Sequence, residues 1–113
     1  MEVAMSLKDG FIFPDESQMV REIWTERSLR LPAQSCSVKV RNKPGTLSIT
    51  LPAAADCFGA FISMGMMYAD NLTGTPTVNV IKDGATWFSM TFSGRYSLML
   101  STGYDWVELV GYH

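Results

Sequence analysis

A chain of 113 residues fits one domain, and 47% hydrophobic against 18% charged residues gives it enough apolar surface to offset the entropy of ordering. A net charge of −2, with no sustained run of Lys or Arg, removes the electrostatic footprint of a nucleic-acid binder. No apolar run approaches the ~18 residues of a membrane span, and MEVAMSLKDG lacks the charged segment and apolar core of a signal peptide, so the chain is expected to be made in a cytoplasm with no membrane insertion.

Residues 1–35 are expected to form a less regular N-terminal arm. Asp9-Gly10 is a turn, and Phe11, Ile12 and Phe13 make a compact apolar patch that needs a covering surface. In PDESQMVREIWTERS, Pro14 and Asp15 resemble a helix start, Gln18 takes the capping-box position, and Met19, Val20, Ile23 and Trp24 recur at helical spacing. This predicts a short amphipathic helix, or a loop whose apolar residues dock on a neighbour.

From Cys36 the period changes to two. SCSVKVRN sets Cys36, Val38 and Val40 against Ser37, Lys39 and Arg41. A turn through Pro44 leads to TLSITL, which places Leu47, Ile49 and Leu51 on one face and halts at Pro52 and three alanines. In CFGAFISMGMMY, Gly59 and Gly65 argue against a long helix, and methionines suit irregular space. TVNVI ends at Asp83-Gly84, a dipeptide favoured in type I′ hairpins, and ATWFSMTF is its partner. Ser93-Gly94 and Thr102-Gly103 then turn the chain into RYSLML and YDWVELVGYH.

Six or seven short strands at intervals of about 8–12 residues predict an all-β domain over 36–113, with antiparallel strands in a sandwich, barrel or β-prism. A parallel α/β fold is not expected, because no crossover helix is written in the sequence. The triplet Leu31-Pro32-Ala33 recurs 20 residues later as Leu51-Pro52-Ala53, and Cys36 recurs 21 later as Cys57. These matches are too few to establish a repeat.

Charge is uneven along the chain. Residues 44–113 carry only Lys82, Arg95, Asp56, Asp70, Asp83, Asp105 and Glu108, which is sparse for the surface of a soluble monomer. Burial of this half against other copies is expected. The cysteines lack CxxC spacing and read as small buried apolar residues.

The only histidine is the terminal His113, which nothing beyond it can orient as a general base. The carboxylates of the β half are dispersed, and no P-loop, GxGxxG or HExxH occurs. No enzyme activity, metal or cofactor is therefore expected. Rings offer a binding chemistry instead: Trp87, Tyr104 and Trp106 could stack on sugar faces, although large rings more often fill cores and interfaces.

The run TLSITLPAAAD…TPTVNVIKDG…YSLMLSTGYDWVELVGYH resembles the β-structured distal segments of bacteriophage fibre proteins. The resemblance implies a homotrimeric virion protein of head-fibre, short-spike or capsid-decoration type, in which Ala53, Ala54 and Ala55 permit close approach of chains. It further implies an arm that docks on capsid or tail proteins through Phe11, Ile12, Phe13, Ile23 and Trp24, while the β domain projects toward host-surface glycans. The rival reading is a monomeric β-sandwich carbohydrate-binding module.

Overall fold

A computed structural model describes residues 21–41, 45–67 and 74–113. Phe11, Ile12 and Phe13, and the expected helix start at Pro14 to Gln18, lie outside the described residues. Nine strands are described: β1 (Arg21–Thr25), β2 (Leu29–Arg30), β3 (Cys36–Arg41), β4 (Gly45–Thr50), β5 (Phe61–Met67), β6 (Pro76–Lys82), β7 (Ala85–Thr91), β8 (Tyr96–Ser101) and β9 (Trp106–Tyr112). One sheet has the order β1-β3-β5-β8-β9 and the other β2-β4-β6-β7. Among the described residues the only helical element is a single 3-10 turn, Ala54–Asp56.

The all-β expectation holds, and its purely antiparallel form does not. β1, β3 and β5 are parallel, as are β2, β4 and β6. The cause lies in how the chain travels. After each of the first five strands it crosses to the opposite sheet, and two reversals restore its direction, so the intervening strand does the work of a crossover helix. Antiparallel pairing appears where the chain turns back within one sheet, at β6–β7 and β8–β9, and between β5 and β8.

Alternation is what closes the core. Cys36, Val38 and Val40 of β3, Ile49 of β4, Ile62, Met64 and Met66 of β5, Val78 and Val80 of β6, Met90 of β7 and Met99 of β8 all point between the sheets and are buried. CFGAFISMGMMY thus supplies a central strand, with Met64 and Met66 facing in and Gly65 and Met67 facing out. Asp83 and Gly84 both have positive φ, 54° and 79°, as the type I′ hairpin requires.

The helix expected around Ile23 is a strand where the structure describes it. Ile23 pairs with Val38 and packs on the core, while its neighbour Trp24 points outward and is 56% exposed. Adjacent residues on opposite faces suit a strand, and the edge of β3 offers a ready ladder and core to a segment too short to be a stable helix by itself. Thr25 ends β1 in a local turn, its hydroxyl donating to Arg27 O at 2.8 Å and accepting from Arg27 N at 3.1 Å.

Candidate functional site

The strand directions gather four connections at one end of the two sheets: Leu31 to Ser35, Leu51 to Ala60, the β6–β7 turn and the β8–β9 turn. They are tied together through main-chain oxygens. Leu31 N donates to Thr50 O and Leu51 N to Ile81 O, each at 2.9 Å. Ser101 Oγ donates to Ala54 O and the Trp106 indole to Pro52 O, each at 2.8 Å. The LPAAA stop is therefore an anchored arch. Pro52 offers a carbonyl that the buried indole satisfies, and Ala54 is small enough to sit in the core beside Ser101.

Two rings project from this frame. Tyr104 at the β8–β9 turn is 97% exposed, and Phe58, after the 3-10 turn, is 80% exposed. They are neighbours through Gly103, whose φ is 89° and where an added Cβ would lie 2.9 Å from Phe58 Cδ1. The turn itself is built by Thr102, whose hydroxyl accepts from Tyr104 N and Asp105 N.

Beside Tyr104, Asp105 Oδ1 lies 3.1 Å from Lys82 Nζ and accepts from Trp106 N at 2.8 Å. The Lys82 hydrogen bond and then the Trp106 amide hold the Asp105 carboxyl below its usual range. Lys82 Nζ also stands 4.3 Å from the centre of the Trp87 ring, a cation–π distance. The result is an ion pair flanked by aromatic surface. Its carboxylate and ammonium can exchange hydrogen bonds with hydroxyl-rich ligands, and its rings can stack on apolar faces.

Of the three rings expected to contact ligand, Tyr104 is fully presented and Trp87 is half-buried against the core with Lys82 over one face. Trp106 corrects the expectation. It is 2% exposed, and its only polar atom is used by Pro52, so it has no face to offer. Phe58 escaped the sequence reading, although a phenylalanine followed by glycine at a turn was a usable signal of a ring left outside the core.

A second polar cluster lies at the C-terminus. Ser97 Oγ donates to Glu108 Oε2 at 2.5 Å, His113 Nε2 lies 2.5 Å from the same oxygen, and the His113 ring stacks on Phe88 at 4.0 Å. The serine hydroxyl is thus engaged by the carboxylate rather than by the imidazole, so the group lacks a nucleophile–base contact. It clamps β9 of one sheet onto β7 of the other. At the end remote from Tyr104, Arg95 lies over the Tyr112 ring at 4.1 Å and near Phe92, whose φ is 74°.

No family model, curated protein or solved structure matches the chain. The aromatic end and the outer surfaces of the two sheets are what the fold presents.

Proposed function

We propose that the chain is a bacteriophage virion structural protein of head-fibre, short-spike or capsid-decoration type, homotrimeric, docking by its N-terminal arm and presenting its β body for attachment to host-surface glycans. The observation that carries this reading is the loop end where Tyr104 and Phe58 stand exposed beside the Lys82–Asp105 pair on a body poor in charge. The resemblance of the strand sequence to phage fibre segments gives the viral setting. Ile23 packs into the sheet core, so docking by the arm rests on Phe11, Ile12, Phe13 and Trp24.

The described chain begins at Arg21, at the same loop end, but on the β1 edge, roughly 19 Å across the sheet from β9 at ~4.8 Å per strand. Twenty residues reach up to about 66 Å when extended, which spans either pole of a domain this size.

Light scattering is expected to give three times the 12.5 kDa mass of one chain. On a glycan array, wild type is expected to bind and the Tyr104→Ala and Phe58→Ala variants to lose at least tenfold in affinity. A stable 12.5 kDa monomer that still binds sugars through Tyr104 would instead establish the carbohydrate-binding module, the reading favoured by the same exposed rings.

A further inference from the structure

The outer face of the five-stranded sheet divides into two halves. On β1 and β3 it is charged, with Glu22 Oε2 2.9 Å from Lys39 Nζ and Glu26 3.5 Å from Arg41. On β5, β8 and β9 the pairing register builds three cross-strand rows: Phe61–Leu100–Val107, Ser63–Leu98–Val110 and Gly65–Tyr96–Tyr112. The rows themselves hold no charged residue, and Arg95, just before Tyr96, lies over the Tyr112 ring at 4.1 Å. Glu108 pairs with Met99, on the inward-facing register, and is engaged by Ser97 and His113.

Phe61, Tyr96, Val107, Val110 and Tyr112 are 38–55% exposed, and Met67 continues the patch. With 150–250 Å² available per aromatic side chain, Phe61, Tyr96 and Tyr112 alone leave roughly 200–350 Å² open, and Val107, Val110 and Met67 extend this toward the upper end for a soluble monomer. Specific interfaces bury about 800 Å² per partner, so this face with its rim is of the right size. Because Gly65 contributes no side chain, the face also carries a depression of about 320 Å³ between Lys39, Met67, Tyr96 and Leu98, relief into which a facing ring can pack.

We infer that this face is where copies of the chain meet, a proposal that rests on the homo-oligomeric reading above. A face whose cross-strand rows are apolar, with Lys39 and Arg95 only at its rim, has as its best complement another face of the same kind, and further copies of the chain supply it. In the homotrimer the three copies of this face converge about the threefold axis, each packing against the other two. Strand addition along β9 is disfavoured because Leu109 is an extra residue opposite the Leu98/Met99 step and breaks the ladder rhythm of that edge.

The test compares molar mass across concentration for the full chain and four variants, with far-UV circular dichroism as the check on folding. Leu98→Lys and Val110→Lys each put a charge into the middle row, and the dissociation constant is expected to rise at least a hundredfold. Combined Tyr96→Ser and Tyr112→Ser, at positions 44% and 55% exposed and so not needed to fold one chain, is expected to weaken association tenfold or more. Ser89→Lys, on the outer face of the other sheet, is expected to leave the mass unchanged. Oligomers that survive the row substitutions, or that fall apart equally with Ser89→Lys, would overturn this assignment and leave the oligomeric reading standing. A wild-type monomer at all concentrations would remove that reading itself.

Discussion

Single side chains here divide sharply between holding the fold and facing outward, and the aromatic residues show it best. Trp106 is buried with its indole bonded to Pro52, whereas Tyr104, two positions earlier, touches almost nothing. Trp106→Ala is expected to lower unfolding free energy by about 3–5 kcal/mol, since it opens a large cavity and orphans a carbonyl. Tyr104→Ala is expected to change it by no more than about 0.5 kcal/mol. Urea titrations of the two variants check the contrast, and similar losses would place Tyr104 in the structural frame. Composition could not separate these rings, because both lie in one turn-rich segment. Alternation could not separate them either: Tyr104, Trp106 and Glu108 have the same parity, and the decisive contact, to Pro52, comes from a residue 54 positions away. The cysteines were legible by contrast. Both are buried free thiols, and burial pushes each pKa up, as expected of small apolar residues rather than reactive ones.

At the scale of elements, strands were readable from period-two alternation and hairpins from Asp83-Gly84 and Thr102-Gly103, while strand direction was not. A strand that turns back beside its neighbour and one that crosses to a facing sheet carry the same local pattern, so only the partner decides. One trace of the parallel stacking was present. The Leu-Pro-Ala echo at an offset of 20 matches the β2–β4 register, in which Leu29 pairs with Ile49 and Arg30 with Thr50. The cysteine echo is different in kind, since Cys36 pairs with Ile62 and Cys57 belongs to the loop.

The loop end offers an element-scale test, because Asp105 joins the β8–β9 turn to Lys82 of the β6–β7 hairpin. Its carboxyl pKa is lowered in the folded chain, so the ionised form is favoured by folding. That contribution is full above the ordinary aspartate value of about 3.9 and disappears as pH falls through the lower folded value. The stability gap between wild type and Asp105→Asn is therefore expected to be larger at pH 7 than at pH 2, measured by urea midpoint. A gap independent of pH would mean that the ion pair does not couple the two hairpins.

For the molecule as a whole, the question is where the arm ends and the β body begins. The change of period at Cys36 places the boundary there, yet residues 21–30 contribute one strand to each sheet. Ile23 and Leu29 pack on the core, Leu31 is buried within it, and Arg21 N donates to Ser35 O. Starting the chain at residue 36 would strip β1 from β3 and β2 from β4, uncovering Val38, Val40 and Ile49 along two new parallel edges. Unpaired edges of this kind lose ladder hydrogen bonds and invite aggregation. A chain starting at residue 21 retains those contacts. The shorter chain is accordingly expected to unfold at a clearly lower urea concentration, with a shallower transition, because the surface it buries is smaller. Equal midpoints and slopes for the two would show that β1 and β2 rest on the body without stabilising it, and would return the boundary to Cys36.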